Sequence, residues 1–354
     1  NVIELYPREK KISFEANENN MVDYKNLNWL QTIHAGDPIC TIIQPIPGED
    51  GIDIRGVVKK AYDSKMPKVL GGTNTAENEE HTALVATCDG QLIFSGGNFK
   101  VEQMIKIDSD VDTSIGNLDV IGSITVYGNV FDGFTLKATG DIIVKGTIEG
   151  ATIIAGGNIQ IFQGINGSYK GKLEAGKTVT SRYLENCHVT AGGTVKSDSI
   201  LNSTVISSDK VVVVSGKGII IGSAIVAFKG VEAKIIGNEQ NILTSITIGT
   251  DPKLYEELRT LRIEINDLKR KAEGNEKNIQ YLLSQESLNA EYQQLLNKLK
   301  LDQTIYNLNL SKKSNRITAI ETELKSSEVC QIVVNQLNPP VKVAIENTQL
   351  MISS

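Results

Sequence analysis

The sequence predicts a mainly β fold: a right-handed parallel β-helix, or solenoid, with a small N-terminal β domain and an inserted antiparallel coiled-coil hairpin of two α-helices. Three observations predict it. Between Gly116 and Gly237 a short apolar strand, a small residue and a glycine recur. After Asp251 the apolar spacing changes from two to three and four. Past Ser326 the period of two returns. The expected divisions are 1–103, a β-rich domain covering the first coil; 104–250, the β-helix; 251–326, the hairpin; and 327–354, strands that rejoin the β-helix.

Leu136-Lys137-Ala138-Thr139-Gly140, Ile153-Ile154-Ala155-Gly156-Gly157, Leu173-Glu174-Ala175-Gly176 and Val189-Thr190-Ala191-Gly192-Gly193 are four copies of the repeat. Val205-Ile206-Ser207 and Ile225-Val226-Ala227 are weaker ones. From 136 through 153, 173, 189 and 205 to 225, the steps are 17, 20, 16, 16 and 20 residues. A unit of that length fits one turn of a solenoid and can bury its apolar positions only against the turns above and below it. Ile142 with Val144, and Ile159 with Ile161, point to one face. Glycines are expected to supply positive φ at the corners. The uneven steps do not match a strict hexapeptide rhythm, and crossovers between parallel strands are right-handed, so a right-handed coil is expected.

At the N-terminus, Val2-Ile3-Glu4-Leu5 and Lys11-Ile12-Ser13-Phe14 read as a strand pair. Turn clusters at Ala35-Gly36-Asp37, Pro47–Gly51 and Leu70–Asn74 punctuate an all-β stretch to about Gln103. Asp251 followed by Pro252 reads as a helix cap and first turn. Leu254, Leu258, Leu261, Ile265, Leu268, Ala272, Ile279 and Leu282 form the seam of one arm. Leu288, Tyr292, Leu295, Leu299, Tyr306, Leu310, Ile317, Ile320 and Leu324 form the other, with a bend near 284–290 and polar residues on the remaining faces. Each arm of about 33 residues should reach roughly 50 Å. Gly274 is a weak point in the first arm. Val329–Val334 and Val341–Ile345 flank Asn338-Pro339-Pro340 and read as strands.

Composition narrows the function. The chain has 354 residues, 31 glycines, 5% aromatics and a formal net charge of −6. No basic stripe interleaved with aromatics is present, which argues against nucleic acid as a partner. No apolar run approaches the roughly 20 residues of a membrane-spanning helix. Cys40, Cys88, Cys187 and Cys330 are isolated and form no CxxC, so buried free thiols in a reducing, cytoplasmic compartment are expected. The chain starts at Asn1 rather than Met, so a segment upstream is expected to have been removed.

Several motifs suggest chemistry. Residues Gly171–Thr178 match GxxxxGK[ST], with Lys177 in the phosphate-binding place, but a P-loop needs a helix after it and Val179–Tyr183 is β-rich. Asp108, Asp110 and Asp112 would share one face of a strand and could bind calcium; as an EF-hand the run fails at Thr113 and Asp119. His34, His81 and His188 share no ligand spacing. Cys187 and His188 are neighbours whose side chains diverge on a strand, which excludes a nucleophile–base pair. Lys65, in Ser64-Lys65-Met66-Pro67, is the only candidate for a carrier lysine at a hairpin tip. Asn166-Gly167-Ser168 and Asn202-Ser203-Thr204 fit the glycosylation pattern.

A longer string of residues resembles the bacterial flagellar assembly protein A family. It runs through Val22-Asp23-Tyr24, Ala35-Gly36-Asp37-Pro38-Ile39, Pro47-Gly48-x-x-Gly51-Ile52-Asp53-Ile54-Arg55-Gly56, Leu70–Asn74 and Cys88-Asp89-Gly90. It continues through Asp110-Val111-Asp112-x-x-x-Gly116-Asn117, Gly128-Asn129-Val130-x-x-Gly133-Phe134, Gly164-Ile165-x-Gly167, Lys217-Gly218-Ile219-Ile220-x-Gly222 and Ile248-Gly249. The resemblance implies a β-helix similar to the C-terminal domain of the septum-site inhibitor MinC. It also implies a link to flagellar assembly or cell-surface organisation, and a further N-terminal domain that is missing here or present only as its end. No catalytic residues are assigned to the family's motif, so none is carried over, and Asp110 and Asp112 belong to that motif.

The expectation is therefore a non-enzymatic cytoplasmic scaffold with no catalytic, cofactor or metal residues, acting by self-association or by docking protein partners. A β-helix enzyme acting on polysaccharide through Asp108, Asp110 and Asp112 is one alternative. A nucleotide-dependent assembly factor using Lys177 is the other.

Overall fold

In a computed structural model of the chain, the repeated strands stack in parallel and in register. The structure describes residues 1–10, 25–27, 29–62, 65–249, 252–285, 290–323, 330–345 and 348–353. It comprises two compact units: residues 1–192 with 196–203, and residues 193–195 with 204–354.

Each coil of the first unit has three short sides. On one, Leu118, Leu136, Ile153, Leu173 and Val189 are successive partners. Ile105, Ile124, Ile142, Ile159 and Val179 align on the second. The third carries Val111, Val130, Ile148, Ile165 and Leu184. All fifteen side chains are buried. The alternation read from the sequence thus resolves into three aliphatic columns, and the starts at 136, 153, 173 and 189 are register partners.

Two devices hold the corners. Side-chain oxygens reach up one coil to cap the next backbone N–H: Asp141 Oδ1 accepts from Asn158 N at 2.6 Å, and Asn158 Oδ1 from Thr178 N at 3.2 Å. Asp110 Oδ1 and Asn129 Oδ1 do the same for Asn129 N and Thr147 N, at 2.6 and 2.8 Å. Glycine is the second device: Gly116, Gly122, Gly133 and Gly150 adopt the positive φ expected at corners, whereas the glycines of the repeated column serve another purpose. Gly140, Gly156, Gly176 and Gly192 do not adopt positive φ. A Cβ on Gly176 would collide with the carbonyl oxygen of Gly156, and one on Gly192 with that of Gly176. Close backbone stacking, not turn handedness, demands glycine in this column.

Within the second unit, Val205, Ile225, Ile246 and Val343 are successive parallel partners, as are Val211, Val231 and Ile332. The coil from Ala224 turns a corner at Phe228 and Lys229 between strands Ala224–Ala227 and Gly230–Gly237. In the next coil the equivalent positions are Gly249, which donates to Phe228 O at 3.0 Å, and Cys330, and the N–H of Gln331 just after them donates to Lys229 O at 3.3 Å. Two helices are inserted at that corner, α1 (Pro252–Leu283) and α2 (Ala290–Glu323). Strand Thr348–Ile352 then folds back antiparallel on Val341–Ile345. The cap expected at Asp251, and Leu288, Leu324 and Val329, lie outside the described residues.

The N-terminal region forms small antiparallel sheets. Val2–Glu4, Pro38–Ile42, Ala83–Ala86 and Thr75–Glu77 make one; Thr32–Ile33, Gly90–Ser95 and Asn98–Glu102 make another. Ile33, Ile39, Leu84, Leu92, Phe99 and Val101 pack between them. Strand Val2–Glu4 pairs with Cys40–Ile42; the partner expected from Lys11–Phe14 lies outside the described residues, as does Val22-Asp23-Tyr24.

Candidate functional site

The residues that suggested chemistry are mostly absorbed by the coil. Leu173 and Ala175 of the P-loop-like run are core rungs. Gly176 N donates to Ala155 O, Lys177 N to Gly157 O and Thr178 N to Asn158 Oδ1. A phosphate cradle needs free backbone N–H groups at a helix start; these are spent on the coil below, and the strand Val179–Ala191 follows.

Asp108, Asp110 and Asp112 do not share a strand face, because the strand Met104–Ile107 ends before them. Asp110 caps Asn129, and Asp112 accepts from the backbone N–H and hydroxyl of Ser114, at 2.8 and 2.6 Å. The Ser114 hydroxyl, with that N–H, holds the Asp112 carboxyl below its ordinary range. Among the described residues, no three His, Cys, Asp or Glu side chains converge as a metal site would require.

His34 and His81 are exposed and lie beside Asp89 and Glu77, at 3.7 and 2.7 Å. Cys187 points inward, its Sγ 3.5 Å from Ser203 Oγ, and burial pushes its thiol up to about 11; His188 faces solvent. Cys40 is also buried, whereas Cys88 and Cys330 are half-buried, so the expectation of four buried thiols holds for two. Lys65 is not at a hairpin tip. The turn of the Gly51–Ile52/Val58–Lys59 hairpin is formed by Asp53 to Val57, with Ile54 fully exposed. Ser64 lies outside the described residues.

A cavity of about 770 Å³ lies between the segment around Trp29 and the outer face of the first coils, with Asp119, Thr135 and Lys137 along one wall. Trp29 Nε1 donates to Ile115 O at 3.0 Å, and Lys25 O accepts from Asn117 N at 2.6 Å. These bonds tie the segment to the coil.

The surface with the clearest capacity for recognition is the helix pair. The helices are antiparallel, tied by Lys313 with Glu264 at 2.6 Å, Arg316 with Glu257 at 2.7 Å and Arg262 with Glu321 at 3.6 Å. The Arg316 guanidinium holds the Glu257 carboxyl low. Leu258, Ile265, Ala272, Ile279 and Leu282 are buried along α1, as the spacing predicts. On α2 the seam departs from the expectation. Leu296, not Leu295, is buried and Tyr292 is exposed, whereas Ile320 is fully buried as expected. The remaining face of α2 is not wholly polar. Leu301, Ile305 and Leu308 are 62, 45 and 56% exposed. Spaced by four and three, they form one stripe roughly opposite Leu310 and Ile317 of the inner seam. Sequence spacing traced one seam, took the remaining faces as polar and passed over this stripe; the one signal available was a surplus of apolar residues over what a single seam can use.

Parallel coils closed by stacking, with helices inserted at one corner, define a β-solenoid protein that carries a helical arm. Residues 103–354 match the model of the Flagellar Assembly Protein A beta solenoid domain, and residues 1–97 that of the Flagellar Assembly Protein A N-terminal region. The chain belongs to the flagellar assembly protein A family. No curated protein and no solved structure matches it.

Proposed function

We propose that this chain is a non-catalytic cytoplasmic scaffold in flagellar assembly, which docks protein partners on its helical hairpin while the solenoid serves as a rigid mount. In this reading residues 1–103 cover the first coil, 104–250 and 327–354 build the mount, and 251–326 form the arm. The observation that carries it is the pair of apolar faces on α2, one of them unused within the hairpin. The family's name supports the link to flagella. Absence of a membrane-spanning helix among the described residues is consistent with it.

The insertion point supplies the test. Joining Gly249 directly to Cys330 recreates a two-residue corner like Phe228–Lys229. The shortened chain should keep its β-rich circular dichroism and its cooperative melt, and should fail to restore motility to a strain lacking the full-length protein. Full restoration of motility by the shortened chain would refute the proposal.

A further inference from the structure

We propose that the outer stripe of α2 is a docking seam for an acidic amphipathic helix of another protein. This deepens the scaffold reading and rests on it.

Continuing the stripe in both directions gives Gln294, Lys298, Leu301, Ile305, Leu308, Lys312, Asn315 and Ala319. The steps are four, three, four, three, four, three and four, the alternation of a coiled-coil contact line. All eight residues are exposed. A partner helix lying along this line would cover three aliphatic side chains at its centre.

Charge identifies the partner. The two ionisable positions in the line, Lys298 and Lys312, are both basic and stand seven residues either side of Ile305. Neither has an ion-pair partner among the described residues, whereas neighbouring Lys313 and Arg316 are engaged by Glu264 and Glu257 of α1. A facing helix needs apolar residues opposite Leu301, Ile305 and Leu308, and Glu or Asp opposite each lysine. A second copy of α2 fits poorly. Antiparallel pairing about Ile305 sets Lys298 against Lys312, and parallel pairing sets Lys312 against itself. The outer face of α1 offers Ile263 and Tyr281 separated by eighteen residues, with Asp267, Arg270 and Gly274 between, and has no comparable stripe.

The test uses the full chain and two synthetic amphipathic peptides of about four heptads with identical Leu and Ile positions. One carries Glu at the positions facing Lys298 and Lys312 and along its flanks; the other carries Lys. Fluorescence anisotropy should show the Glu peptide binding at least tenfold more tightly at low salt, the margin shrinking as salt rises. The triple variant L301Q/I305Q/L308Q should lose at least tenfold in affinity for the Glu peptide with an unchanged melting temperature, since all three side chains are exposed. The double variant K298E/K312E should reverse the preference.

Equal binding of the two peptides, or full binding by the triple variant, would overturn the inference. So would a concentration-dependent dimer, seen in light scattering, that the triple variant abolishes, because the stripe then serves a second copy. Binding to phosphatidylserine vesicles that the triple variant abolishes would overturn it in favour of a membrane surface. Such results leave the motility test of the hairpin-less chain independent: loss of motility there would keep the scaffold and discard only this partner.

Discussion

Asn275 donates from Nδ2 to Gln303 Oε1 at 2.8 Å in the helical hairpin, and the same amide donates to Leu299 O at 2.8 Å. Asn275 is the one buried polar residue of the hairpin among the described residues. An amide in an otherwise aliphatic seam costs stability and specifies alignment, because a helix that slips leaves it unpaired. Asn275→Leu should leave the melting temperature unchanged or raise it. Spin-label distances between Arg270 and Thr304 should broaden as registers mix; a single sharp distance in the variant would show that register is set elsewhere. Asn275→Ala should cost about 1–3 kcal/mol, since it removes both hydrogen bonds and leaves a void that Leu would fill with apolar contact.

Adjacent residues in one strand test the core. Ile153 is fully buried between Leu136 and Leu173, and Ile154 faces outward. Ile153→Asp should cost at least about 4 kcal/mol, the upper range for a single substitution, whereas Ile154→Asp should cost under about 1 kcal/mol. Denaturant titration of both variants measures the difference, and equal losses would contradict the column assignment.

The thiols should sort by burial. Ellman's reagent should titrate Cys88 and Cys330 quickly in the native protein, with Cys40 and Cys187 reacting only on unfolding. Burial raises the Cys187 value to about 11, so the folded chain holds this proton more tightly than the unfolded one. Its contribution is complete below the ordinary thiol range near about 8.5 and declines as pH climbs toward the folded value. Cys187→Ser should leave alkaline unfolding less steep; an unchanged slope would exclude this group as its source.

Asp209 gives the acid-side counterpart. The Thr194 hydroxyl at 2.6 Å, and then Lys229, hold its carboxyl below the ordinary range. Its stabilising effect is therefore present above the unfolded carboxylate value and is lost as pH falls through the depressed folded value. Thr194→Val should make the melting temperature less dependent on pH across that acidic window. A variant with the parent's pH profile would remove Thr194 as the cause.

Much of the solenoid was legible because its determinants are local. Alternation marks Ile142 and Val144 as inward without knowledge of the neighbouring coil, and the starts at Leu136, Ile153, Leu173 and Val189 became register partners unchanged. The acidic run was misread for a matching reason. Its shared face presumed a strand, and the strand stops at Ile107, so Asp110 and Asp112 turn to cap backbone instead. Positive φ, expected of corner glycines, holds at Gly116, Gly122, Gly133 and Gly150 but not in the repeated column. What Gly176 must avoid is the carbonyl of Gly156, twenty residues away in sequence.

Repeat length, strand faces, the inserted helices and the return to strands all follow from spacing along the chain, since a period of two or of three and four is a property of neighbouring residues. Which apolar residues of α2 lie inside was settled by folding. Leu295 and Leu296 are adjacent and chemically identical, and only the position of α1 makes one buried and the other exposed. The same contact leaves Leu301, Ile305 and Leu308 uncovered, because burial belongs to pairs of surfaces and a single chain segment carries just one of the two.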